Sequence, residues 1–151
     1  MVATCYRHAL RVSELVNLQW SQVGLDDKTL WVVRGKKGKS CVHHLEEDEI
    51  EAFRELKRIT KVESEYVFCT SQGLPLSRDL FAWLVRESAK AAGLGIKAHP
   101  HMLRHAKGYM LINKDNVDVR LIQDFMGHKN IQTTVLYTTL DSRRMKGLSG
   151  W

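Results

Sequence analysis

The stretch His99-Pro100-His101-Met102-Leu103-Arg104-His105-Ala106-Lys107-Gly108-Tyr109 decides how the rest of the chain is read. Pro100 suits the first turn of a helix, where its missing N–H costs nothing. On a helix that begins there, His101 and Arg104 sit three residues apart and share a face. A guanidinium beside an imidazole, near a helix start that already favours anions, predicts a phosphate-binding position. Two plainer readings use the same residues. A zinc site from His99, His101 and His105 finds no cysteine or carboxylate ligand nearby and no H-E-x-x-H spacing. A surface helix carrying ordinary histidines explains the stretch as well as the phosphate site does while the stretch stands alone.

Outward from this helix the chain reads as mainly α with a small antiparallel β-hairpin. Val2 to Leu10 has helical spacing, and Ser13 is placed to cap a second short helix that turns Leu15 and Leu18 inward. Leu30-Trp31-Val32-Val33 and Cys41-Val42-His43-His44-Leu45, joined by a Gly- and Lys-rich connection, predict the hairpin. In the second strand one of His43 and His44 points in and the other out, and neither is assigned to catalysis. Glu46 to Thr60 carries acids at its start and bases at its end, which complements a helix dipole. Tyr66-Val67-Phe68 is a short apolar run, and Gln72-Gly73-Leu74-Pro75 breaks the chain. Ser77 caps a helix through Phe81, Leu84 and Val85 that closes at Gly93. Further helices are expected at His101–Asn113, Val117–Met126 (stopped by Gly127) and Ile131–Leu140. Trp20, Trp31 and Trp83 are expected in or at the edge of the core.

A chain of 151 residues with 44% hydrophobic content holds one domain with a real core. Three scattered cysteines without CxxC spacing, and no signal-peptide or membrane-spanning run, predict a reduced, cytoplasmic setting. The formal charge of +6 favours a polyanionic partner only weakly.

The remaining motifs change that weight. Arg11 within Leu10-Arg11-Val12-Ser13-Glu14-Leu15, the His101/Arg104 pair, Gly127-His128 and Tyr137 follow one another in order across nearly the whole chain. In order and spacing they resemble the tyrosine recombinase, or phage integrase, family. The stretches 99–109 and 120–137 are most similar to the fimbrial phase-switch invertases within it. The resemblance implies the catalytic-domain fold of these DNA breaking-rejoining enzymes over residues 1–151. The family's DNA-clamping domain and first catalytic-domain helix then lie outside this chain, so weak, strongly salt-dependent DNA binding is expected.

Roles follow from the same resemblance. Arg11 and Arg104 would fork onto the nonbridging oxygens of the scissile phosphate, a task lysine performs less well. Tyr137 would be the nucleophile, and since a tyrosine hydroxyl is mostly protonated at neutral pH it needs a base, for which His101 is the candidate. His128 would hydrogen-bond the phosphate. A lysine on the hairpin tip, Gly35-Lys36-Lys37-Gly38-Lys39, would protonate the departing 5′ oxygen; Lys36 matches best by ungapped counting, with Lys37 and Lys39 as alternatives. Arg34, Lys37 and Lys39 are the expected DNA contacts. The implied product is a 3′-phosphotyrosine that a 5′-hydroxyl then attacks, on double-stranded DNA held by a homo-tetramer. Such chemistry implies no cofactor and no metal, and neither a Walker A pattern nor a magnesium-spaced acidic cluster is present in the sequence.

One departure stands out. The family usually places glycine two positions before the first arginine, and this chain has Ala9. If that site is left-handed, alanine there costs roughly 1–2 kcal/mol. Two rivals share the motifs: a DNA-binding remnant without activity, and a type IB topoisomerase-like enzyme that relaxes supercoils.

Overall fold

The computed structural model describes residues 1–35, 38–114, 117–128 and 130. The elements run α1 (Val2–Arg7), α2 (Val12–Val16), a 3-10 turn (Trp20–Gln22), β1 (Val23–Gly24), β2 (Thr29–Val32), β3 (Cys41–His44), α3 (Glu47–Ile59), α4 (Arg78–Ala91), α5 (Pro100–Ile112) and α6 (Val119–Met126). The helix expected at Ile131–Leu140 lies outside the described residues.

The hairpin forms as expected and gains a third strand. β2 pairs antiparallel with β3, Leu30 opposite His43 and Trp31 opposite Val42, and β1 adds to the other edge of β2. Side chains alternate across a strand, so Leu30 and Val32 enter the core while Trp31 stays 47% exposed. His43 points in and His44 out. Trp31 is therefore not a core residue. Neither is Trp83, at 49% exposure: the buried stripe of α4 is Phe81, Val85 and Ala89, spaced by four, and position 83 falls off it.

Caps set the helix starts. Ser77 Oγ accepts from Leu80 N at 3.1 Å at the start of α4, and Asp118 accepts from Arg120 N at 2.7 Å before α6. The second helix departs from the Ser13 expectation. Its N-cap is Arg11, whose backbone N–H donates to Glu14 Oε2 at 2.7 Å. α1 stops early because Ala9 takes φ +49°, so the condition under which alanine is costly at this site is met. Gly93 and Gly127, at φ +69° and +64°, terminate α4 and α6 as glycine does at such caps.

Two apolar clusters hold these elements together. The larger runs through Leu10, Leu15, Leu18, Leu30, Leu45, Ile50, Phe53 and Phe81. The smaller joins Ala9 to Ile112, Ile122 and Met126. Each buried Leu, Ile, Phe or Met side chain among them contributes on the order of 1.5–3 kcal/mol. α5 sits between α1 and α6 and also meets α4, and β3 touches α6. This arrangement brings the α1–α2 turn, the start of α5 and the end of α6 to one place.

Candidate active site

On α5, residues Pro100, Arg104, Gly108 and Ile112 recur every four positions and form the buried face. That spacing carries Arg104 inward while His101 and His105, on either side, remain exposed. A buried guanidinium needs acceptors. Arg104 finds two in backbone carbonyls: Nη1 donates to Ala9 O, and Nη2 to Met126 O at 2.5 Å. The left-handed turn at Ala9 and the C-terminal end of α6 are thus tied to α5 by one side chain.

Arg11 stands on the α1–α2 turn with its side chain 37% exposed. Its Nη1 donates to Glu14 Oε1 at 2.8 Å. Glu14 is nearly buried and serves a second arginine, since Arg34 Nη1 donates to Glu14 Oε2. The carboxylate is a hub between two guanidiniums. Glu14 lies three residues after Arg11, and that i, i+3 spacing is the signal the sequence carries for the pair.

His128 follows the Gly127 cap. Its N–H donates to Gln123 O at 3.0 Å, and its carbonyl accepts from Gln123 Nε2 at 3.0 Å. Burial, then the positive charges of Arg104, Arg11 and Arg34, push its pKa down to about 4, so its imidazole is neutral at neutral pH. The His101 pKa is also lowered, first by partial burial and then by His105, Arg104, His99 and Arg11. The rings of His101 and His105 meet edge to face, 4.5 Å apart. Arg11, His101, Arg104 and His128 therefore share one electropositive environment. Lys36, Lys37 and Tyr137 lie outside the described residues.

The expected DNA contacts divide. Lys39 is exposed, with Nζ 2.8 Å from Asp124 Oδ1. Arg34 is a correction: its side chain is 0% exposed, held by Glu14 and by Phe125 O at 3.0 Å, so it does not reach a DNA surface. The strand alternation that buries Leu30 and Val32 continues to Arg34 and carries it inside.

Among the described residues no group of histidine, cysteine and acidic side chains is arranged to hold a metal, and no helix is long and apolar enough to cross a membrane. Buried histidines do occur elsewhere. His8 Nδ1 and His43 Nδ1 are 3.2 Å apart, His8 Nε2 is 3.2 Å from Glu49 Oε1, and His43 stacks on Phe125 with centroids at 4.1 Å. These contacts link the end of α1 to α3, β3 and α6.

The family model for the phage integrase family matches residues 1–144. The type 1 fimbriae regulatory protein FimB of Escherichia coli (strain K12) is 40% identical over 148 residues, covering 95% of this chain and 74% of that protein. Tyrosine recombinase XerD of Ralstonia nicotianae is 30% identical over 154 residues, covering 98% of this chain and 50% of that protein. Among solved structures, the XerH site-specific recombinase bound to difH substrate in a pre-cleavage complex superposes with a TM-score of 0.78 at 25% identity, covering 99% of this chain and 44% of that one. The chain thus spans about three quarters of FimB and half or less of the two Xer proteins.

Proposed function

Because the chain belongs to the phage integrase family and has the fold of tyrosine recombinase catalytic domains, we propose that it cleaves and rejoins DNA strands at specific sites through Tyr137. The observation that carries this reading is that Arg11 and Arg104, from two separate segments, both act electrostatically on His101 and on His128, which follows a third. A scissile phosphodiester is the ligand such a set fits. Five N–H donors let a guanidinium rest on backbone carbonyls and still fork onto an oxyanion.

In this reading Arg11 and Arg104 stabilise the charge that develops on the nonbridging oxygens. His101, kept neutral by its surroundings, accepts the Tyr137 hydroxyl proton as the tyrosine oxygen bonds to phosphorus. His128, also neutral, donates a hydrogen bond to a phosphate oxygen. Lys36 gives a proton to the 5′ oxygen as its bond to phosphorus breaks. The product is a 3′-phosphotyrosine and a free 5′-hydroxyl, and rejoining runs the same steps backward with a 5′-hydroxyl as nucleophile. The working assembly is a homo-tetramer on paired double-stranded sites in the cytoplasm.

The test is covalent capture. The protein is incubated with nicked suicide duplexes drawn from the DNA flanking its own coding sequence, then denatured. A protein–DNA band that disappears in Tyr137→Phe is expected. DNA binding without any band argues for the inactive remnant, and relaxation of supercoiled plasmid without strand exchange argues for topoisomerase-like action.

A further inference from the structure

Arg34 is buried at a cost, and its stem has been given a fitted slot. Its guanidinium is fully enclosed, and burial works against its charge. Its Nε is buried without a hydrogen-bond partner among the described residues. Two glycines make room for it. A Cβ on Gly38 would stand 2.6 Å from Arg34 Cβ, and one on Gly127 would stand 2.6 Å from Arg34 Nε. Its backbone N–H donates to Ser40 Oγ at 2.9 Å, which anchors the base of the hairpin turn. A buried ion pair is weak evidence for stability, because well-packed apolar side chains of similar volume often do as well or better. An arginine with an orphaned donor, seated between two glycines, calls for another explanation.

Its partners supply one. Arg34 Nη1 holds the Glu14 carboxylate, whose other oxygen holds Arg11. Arg34 Nη2 holds Phe125 O, in the last turn of α6 ahead of Gly127-His128. We infer that Arg34 is a positioning residue for strand cleavage: it fixes Glu14, and through it Arg11, relative to the α6 terminus that carries His128. It does so from the root of the turn that bears the candidate lysine. The inference rests on the recombinase reading above. Only a planar fork spans both acceptors at once, so lysine is not an equivalent.

The test uses the full chain in the covalent-capture assay, at saturating DNA and in single turnover. If the wild type forms no Tyr137-dependent adduct, the recombinase reading itself falls and this inference falls with it; the remaining outcomes concern Arg34 alone. Arg34→Met is expected to slow adduct formation roughly 30- to 100-fold, the scale of a misplacement of about 1 Å, while the DNA dissociation constant moves less than about three-fold. In a Glu14→Gln background the same replacement is expected to cost less than about five-fold, since the charged link to Arg11 is already gone. Equal losses in the two backgrounds, or a wild-type rate in Arg34→Met, overturn the inference. Should Arg34→Met fail to fold, Arg34→Lys keeps a cation for Glu14 without the bridge to Phe125. It is expected to bind DNA normally, to cleave at least about ten-fold more slowly, and to lose most of that defect in the Glu14→Gln background. A wild-type cleavage rate for Arg34→Lys overturns the inference equally.

Discussion

A methyl group on Gly127 would stand 2.6 Å from Nε of Arg34, closer than side-chain carbons ever sit. The glycine that ends α6 thus also shapes the slot for a buried guanidinium, and its φ of +64° is one that L side chains resist.

Gly127→Ala should therefore lose stability twice over, through backbone strain and through displacement of Arg34. A total of about 2–4 kcal/mol is expected, which for a chain of this size lowers Tm by about 5–15 °C. Thermal denaturation checks it; a Tm within a couple of degrees of wild type would show that the slot can widen freely.

Arg11 and Arg104 should separate by their structural cost. Both replacements by alanine are expected to reduce single-turnover cleavage by about 10²–10³-fold, as loss of an oxyanion donor does. Arg104→Ala also strands the Ala9 and Met126 carbonyls, at about 1–3 kcal/mol for each buried group left unsatisfied. Arg11 is partly exposed, and Glu14 keeps Arg34 when Arg11 is lost. Arg104→Ala should accordingly show much the larger fall in Tm, and equal falls would contradict the anchoring role.

Ala9→Gly pits three terms against one another. Relief of the left-handed strain returns about 1–2 kcal/mol. Loss of a fully buried methyl against Ile112, Ile122 and Met126 costs about 0.8 kcal/mol, and the freer unfolded chain costs a further ~0.4–1 kcal/mol. Urea denaturation is expected to place the variant within about 1 kcal/mol of wild type. A loss of ~3 kcal/mol would mean that packing, not backbone conformation, governs this turn.

Acid should destabilise the fold through its buried histidines. Burial first and His8 second lower the His43 pKa to about 3, and burial first and Arg104 second lower that of His128 to about 4, from 6.5. Below pH 6.5 the unfolded chain then binds more protons than the folded one, so stability present above that pH is lost as the pH falls toward 4 and 3. Tm should be level from pH 7 to 8 and fall steadily below 6.5, with a shallower fall in His43→Asn. A Tm unchanged between pH 7 and pH 4 would be incompatible with these shifts.

Much of this was legible along the chain. The alternation Leu30, Trp31, Val32, read strictly, exposes Trp31 and carries Arg34 inward; its basic character and the lysines beside it pointed instead to the surface. The three-residue spacing of Arg11 and Glu14 marked an ion pair, but not that Glu14 would serve a second arginine from the hairpin. Ala9 was flagged by the glycine usually found there, and its φ bears that out. The short β1 strand had no such signal, because two residues carry no period.

By itself the sequence determined the helix caps at Ser77, Gly93 and Gly127, the hairpin, and the order of motifs that assigns the family. Each depends on residues within a few positions of one another, or on a pattern of types along the chain. Tertiary structure alone decided that Arg34 is buried against Phe125, that Arg104 hangs from the carbonyls of Ala9 and Met126, and that His128 stays neutral. Those facts depend on desolvation and on acceptors brought from distant segments, and a charged side chain's environment is set by what packs around it, not by its neighbours in sequence.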